Sequence, residues 1–213
     1  MSKFVNRFVI SDHHLGHQNS WEKFKLADGS PLRPFTSNEE MNETMIERHN
    51  AKVKEQDTVY FLGDVVINKK YLELVKRMNG RKILIRGNHD IFKDEDYRAV
   101  GFEQIHGVRV FVDKFILSHI PLHPDCVTGR FRVNVHGHLH ANQVMETFRV
   151  TGDDMYPYED QRIDPRYLCV CVEQTDFTPL HFDEVESIIQ KRWQEVGYAP
   201  AASDGWGNGS GPG

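Results

Sequence analysis

Seven side chains in this 213-residue chain are of the types that hold divalent metal ions, and each stands where an apolar run gives way to glycine or polar residues. In chain order they are Asp12, His14, Asp64, Asn88, His119, His138 and His140. The set offers oxygen and nitrogen without thiolate, which suits borderline divalent ions, manganese foremost, with iron, nickel, zinc and cobalt as alternatives. One carboxylate can be shared by two ions about 3.5 to 4 Å apart, and two ions fit the number of ligands better than one. Spacing points the same way. In Asp12-His13-His14 the first and third side chains of an extended backbone leave on one side, and His13 points elsewhere. In the run from His136 to His140 the same period of two makes His138 and His140 neighbours, each able to serve a different ion. His136 shares their parity, but the count is complete without it.

Elements that end at these residues must position them. FVNRFVI (4–10), DTVYFLGDV and RKILIRGNHD each read as a strand running into a polar cluster. Between them, Ser37 or Asn38 caps a helix of roughly four turns striped by Met41, Met45, Ile46 and Val53. KKYLELVKRMNG reads as an amphipathic helix closed by Gly80. GVRVFVDKFILSHI has the look of a hairpin around Asp113 and Lys114, FRVNVHGHLH and RYLCVCVEQT supply further strands, and DEVESIIQKRWQEV is a closing helix capped by Gly197. The pattern is an α/β layered fold with its chemistry at strand ends. One domain over 1–197 is expected, followed by a flexible glycine-rich tail over 198–213 in which Trp206 is exposed.

Composition narrows the function classes. With 39% hydrophobic and 27% charged residues the chain can bury one substantial core, and no apolar run approaches the roughly 18 residues of a membrane span. A cytoplasmic protein is expected, with Cys126, Cys169 and Cys171 as reduced packing residues. The formal net charge of −5 does not advertise a long nucleic-acid track.

DHHLGH at 12–17, GD at 63–64, GNHD at 87–90, the histidine of SHIP at 118–121 and GHLH at 137–140 together resemble, in order, the signature of the calcineurin-like metallophosphoesterases. The resemblance implies a two-sheet β-sandwich flanked by helices with a dinuclear metal centre at the strand ends. It implies that Asp12, His14 and His140 hold one ion and Asn88, His119 and His138 the other, that Asp64 bridges them, and that His89 is the catalytic histidine beside both. SDHHLGHQN with RPF and EMNE looks like a branch of short bacterial and bacteriophage-type phosphoesterases. The implied activity is metal-dependent hydrolysis of a phosphate ester by metal-activated hydroxide. A protonated His89 would help expel the alkoxide that a phosphodiester releases, which favours a phosphodiesterase acting on a small, nucleotide-like substrate. The alternatives are a phosphomonoesterase, protein phosphatases included, and a scaffold that has kept the fold and lost the chemistry.

Around these positions, His17 and His123 are candidate pocket residues, Asp90 is a candidate orienter of the His89 ring, and Arg33 and Arg86 are candidate phosphate clamps. His49, His106 and His181 are expected at the surface or core edge. The acidic stretch Thr151 to Asp164, read as a loop, is expected to cover the site and admit small substrates only. With no basic helix beside it, long duplex DNA and membranes are not expected partners.

Overall fold

The computed structural model describes residues 5–111, 114–128, 131–152 and 155–199. Its first sheet has the order β11-β1-β2-β3-β4, built from β1 (Arg7–Ile10), β2 (Thr58–Phe61), β3 (Arg81–Ile85), β4 (Phe102–His106) and β11 (Leu180–His181), all parallel except β11. The second has the order β10-β7-β6-β5: β5 (Val108–Phe111) pairs antiparallel with β6 (Phe115–Ser118), which is parallel to β7 (Asn134–His136), in turn parallel to β10 (Tyr167–Cys169). The strands around Asp113 and Lys114 therefore form the expected hairpin, with residues 112 and 113 of its turn outside the described residues.

Alternation along the first sheet explains why its strands read as continuous apolar runs. Phe8, Ile10, Val59, Phe61 and Leu84 face one core, shared with the helices. Val9, Tyr60, Leu62, Ile83 and Ile85 face a second, shared with Phe115, Leu117, Val135 and Leu168 of the other sheet. A sheet buried on both faces needs apolar side chains of both parities. The architecture is thus two sheets packed face to face and flanked by helices, as the motifs implied.

Helix α1 (Asn19–Glu22) is a single turn, whereas α2 (Asn38–Lys52) is a full helix started by Ser37, whose hydroxyl accepts from Glu40 N at 3.0 Å. Its inner face carries Met41, Met45, Ile46 and also His49, which is fully buried. The expectation of a peripheral His49 is corrected: its Nε2 donates to Asn79 O at 2.9 Å and its ring stacks on Phe61. The segment Lys69–Arg77 is a 3-10 helix and not the α-helix expected. Leu72, Val75 and Met78 are buried at intervals of three, the repeat that a 3-10 helix places on one face. A short helix α3 (Asp94–Ala99) and β4 were not anticipated.

The segment expected to be a loop over the site forms most of an antiparallel pair, β8 (Met145–Gly152) with β9 (Met155–Ile163), a separate two-stranded sheet. Alternation there is obscured by polar residues on both faces, as in GluAspGlnArg at 159–162, because the described part of β9 is largely exposed. Helix α4 (Phe182–Val196) closes the second core with Phe182, Val185 and Ile189, starts on a capping box between His181 and Glu184, and ends on Gly197 in the left-handed conformation. His181 is thus a helix cap. Among the described residues no helix is long and apolar enough to cross a membrane. Of the tail, only residues 198 and 199 are described.

Candidate metal centre

The C-terminal ends of β1, β2, β3, β6 and β7 converge, and the chain beyond each carries the candidate ligands. Backbone bonds knit these ends together across the two sheets. His14 N and Leu15 N donate to Asp64 O and Val65 O, Gly137 N to His119 O, and Ser11 N to Val170 O. The ligands sit on turns rather than on extended strand. Asp12, His14, Asp64, His138 and His140 have φ of 60°, 45°, 54°, 70° and 52°. The period-of-two expectation is therefore corrected: left-handed residues beyond β1, β2 and β7, not the pleat, turn these side chains together. Each such residue costs of order 1 kcal/mol or more, and such strain collects at functional sites. The motif glycines make the convergence possible. A Cβ on Gly87 would stand 2.3 Å from Asp64 Oδ1, and one on Gly137 2.3 Å from Asp12 Oδ2.

Two ligand groups result, Asp12 with His14 and His140, and Asp64 with His119 and His138. His14 Nε2 lies 3.6 Å from Asp12 Oδ1 and 3.6 Å from Asp64 Oδ2, while His119 Nε2 lies 3.5 Å from that same Asp64 oxygen. Asp64 Oδ2 thus faces both groups. Its other oxygen is taken, accepting from His89 N at 2.8 Å. Asn88 Oδ1 completes the second group, 2.8 Å from His119 Nε2 and 3.0 Å from His138 Nδ1.

The donor chemistry fits cations. Asp12 Oδ2 is held by His138 N at 2.8 Å, with Ser11 Oγ at 2.6 Å and Cys171 Sγ at 3.1 Å. Asp12 Oδ1, equally buried, accepts no hydrogen bond and faces the His14 and His140 rings. His119 Nδ1 donates to Leu62 O at 2.7 Å, so Nε2 presents a lone pair toward the Asn88 oxygen. Likewise His140 Nδ1 donates to Glu173 at 3.1 Å, which frees its Nε2. Lone pairs packed against one another with no proton between them are what a cation neutralises.

Electrostatics reinforce the arrangement. Burial alone would raise the Asp12 carboxyl, but the adjoining His14 and His119 rings and the Ser11 hydroxyl that donates to it hold it well below the usual carboxylate range. Burial would lower His140; the Glu173 carboxylate more than offsets it and raises the ring. Glu173 stays low despite its own burial, because Arg33 and His140 sit beside it.

The remaining candidates take different places. Arg33 is fully buried and is not a phosphate clamp: its Nη2 and Nη1 donate to Asp12 O and His13 O at 2.6 and 2.7 Å, and its Nε to Glu173 at 2.7 Å. It braces the backbone beneath the first ligand group. Arg86 spends its donors on Asp90 O, Phe92 O and the Asp94 carboxylate, so it holds the GNHD loop. Asp90 does not orient His89. Its carboxylate accepts from Asp64 N at 2.7 Å, Gly87 N at 2.8 Å and Val65 N at 3.2 Å, fixing the backbone that carries Asp64.

His89 itself is exposed, its ring edge-on to His14 at 5.5 Å between centroids. His17 is half-buried 5.7 Å from the His14 ring, and burial and nearby imidazoles lower it to about 4. His123 is exposed and caps its own 3-10 turn by accepting from Asp125 N. His13 is buried and stacked on Phe61, and His136 is buried with Nδ1 donating to Gly137 O. Sequence reasoning missed Ser11, Cys171 and Glu173. The charge that ends the apolar run LCVCVE was the available signal for Glu173.

Comparison with known proteins agrees with this geometry. The family described as Calcineurin-like phosphoesterase matches residues 7–195. An uncharacterized protein of Methanocaldococcus jannaschii is 33% identical over 193 residues, covering 86% of this chain and 91% of that one. The gene 66 protein of Mycobacterium phage L5 is 27% identical over 173 residues, 66% of this chain and 80% of its own. The crystal structure of a protein of unknown function from Aquifex aeolicus superposes with a TM-score of 0.57 at 22% identity, covering 86% of this chain and 99% of that one, a likeness of fold.

Proposed function

Since this chain belongs to the calcineurin-like phosphoesterase family and is thereby a metal-dependent phosphoesterase, we propose that it is a phosphodiesterase working with two divalent ions, manganese foremost, on small nucleotide-like esters. Asp12, His14 and His140 would hold one ion, Asn88, His119 and His138 the other, and Asp64 both. The carrying observation is the placement of Asp64 Oδ2 between the two groups with the unliganded His89 exposed beside them. Bound ions supply positive charge that neutralises phosphate oxygens and lowers the pKa of water.

The chain's own residues do the rest. Asp12, kept ionised by its neighbours, cannot consume a proton near neutral pH. Asp64 keeps its orientation through His89 N and through the Asp90 clamp on its own N–H. The His89 imidazole, when protonated, donates a proton to the departing alkoxide, a contribution of roughly 10²- to 10⁴-fold. That donation matters wherever the departing group is an alkoxide, as it is in a nucleotide diester. With its net charge of −5, the chain is proposed to act on small substrates and not on long duplex DNA.

The test compares bis(p-nitrophenyl) phosphate with p-nitrophenyl phosphate on the manganese-loaded wild type, and compares wild type with His89→Ala on a dinucleoside monophosphate, a diester whose leaving group is an alkoxide. Faster diester turnover, with the variant slowed on the dinucleoside monophosphate, is expected. Much faster monoester turnover overturns the proposal in favour of a phosphomonoesterase, and a variant that keeps its diester rate removes His89 as the proton donor. No turnover of either kind of ester favours a scaffold.

A further inference from the structure

A groove of ≈ 340 Å³ opens directly beside the ligand group, with His138 and His140 forming one wall and Phe24, Lys25, Leu26 and Leu32 the other. The second wall is an excursion of the chain between α1 and α2, a small antiparallel turn closed by Leu26 N to Ser30 O at 2.8 Å and Leu32 N to Phe24 O at 2.9 Å. Asp28 accepts from Ser30 N and Ser30 Oγ inside it, and Gly29 takes the φ of 84° that the turn requires. The finger is braced by its own bonds, so its side chains are held in place before anything binds.

What it presents is unusual for a surface turn. Phe24 is 46% exposed and Leu26 36%. The Phe24 ring meets His17 edge-on at 5.5 Å, and His17 in turn lies against His14, so a continuous line of rings runs from the metal ligands to the groove. His17 buttresses Phe24 from one side, and much of the ring remains open to solvent.

We infer that this groove seats the planar base of a nucleoside monophosphate or nucleoside diester, stacked on Phe24, while the phosphate lies at His138 and His140. The inference rests on the phosphodiesterase reading above and extends it to the part of the substrate that is not cleaved. Three features select a base over an alkyl chain. The open aromatic ring offers a stacking face, the exposed Lys25 and Asn142 that line the groove supply polar groups able to pair with the heteroatoms of a base, and the volume is that of a pocket for one small ligand.

Calorimetric titration of the manganese-loaded full chain with adenosine 5′-monophosphate and with ribose 5-phosphate, which lacks the base, tests this directly. Stacking of one base predicts that wild type binds the nucleotide about tenfold more tightly than the sugar phosphate. The preference should vanish in Phe24→Ala and return in Phe24→Trp, which keeps a stacking face. Equal affinities in wild type, or a preference that survives Phe24→Ala, overturn the inference even if diesters are hydrolysed. If the Phe24-dependent preference holds while no diester is turned over, the phosphodiesterase proposal has failed and the base seat has not.

Discussion

Replacing Asp90 by Asn isolates the clamp beneath Asp64. Three backbone N–H groups, of Asp64, Gly87 and Val65, point at this buried carboxylate, with Tyr97 Oη 3.3 Å away. N–H groups can only donate, so the ionised form is the one that satisfies them, although burial and the nearby Asp64 charge push the carboxyl up. An amide keeps one acceptor oxygen. Placed at Oδ2, that oxygen retains the two short bonds without their charge, each weakened by about 1 kcal/mol, while Val65 N faces an NH₂ group and is left unsatisfied at roughly 1 to 3 kcal/mol. The sum is about 3 to 5 kcal/mol. Urea unfolding of the metal-free protein measures it without any contribution from bound ions, and the melting temperature should fall by about 6 to 20 °C for a chain of this size. Diester turnover should fall with it, because the Asp64 backbone loses its anchor. A loss below about 0.5 kcal/mol together with wild-type turnover would refute the clamp.

Elsewhere in the core, His49 is held neutral: burial lowers it to about 4, the Asn79 carbonyl only partly opposing. The unfolded state then binds the extra proton below about pH 6.5, so this group's contribution is complete above that pH and is lost as pH falls toward 4, at up to about 1.4 kcal/mol per pH unit. Stability measured by urea between pH 6.5 and 4.5 should therefore fall less steeply in His49→Phe; parallel curves would contradict it. Gly137→Ala would press a Cβ within 2.1 Å of Ser11 Oγ and 2.3 Å of Asp12 Oδ2, and titration should show manganese affinity in the first ligand group reduced by about 10- to 100-fold. Arg33→Met leaves the buried Glu173 carboxylate without its cation, with about 3 to 5 kcal/mol of stability lost in urea unfolding; a near-neutral effect would show that the strut is dispensable.

How far the sequence could be read depended on where the signal resides. Strand exits were legible at residues 10–12, 61–64 and 85–88 because an apolar run stops abruptly at glycine or acid, and the ligand types were visible there. The left-handed turns at Asp12, His14 and His138 were not, since nothing in an aspartate or histidine letter marks a positive φ. The 3-10 helix at Lys69–Arg77 was mistaken for an α-helix because over nine residues the periods 3.0 and 3.6 select overlapping apolar positions. Thr151 to Asp164, which holds all of β9, was taken for a loop because the described part of that strand is polar and largely exposed and carries no alternation. Arg33 and Asp90 looked like substrate or ring contacts by proximity in sequence. Their partners, Glu173 and the Asp64 backbone, lie 140 and 26 residues away, and only the fold brings them together.

The central claim is that Asp64 is shared by two ions. Manganese content per chain, measured with the electron paramagnetic resonance spectrum of the loaded protein, tests it most directly in wild type and Asp64→Asn. The account predicts two ions per wild-type chain with an exchange-coupled signal, and loss of that coupling and of diester turnover in the variant. One ion per chain at saturation, or two that are magnetically independent in wild type, would contradict it.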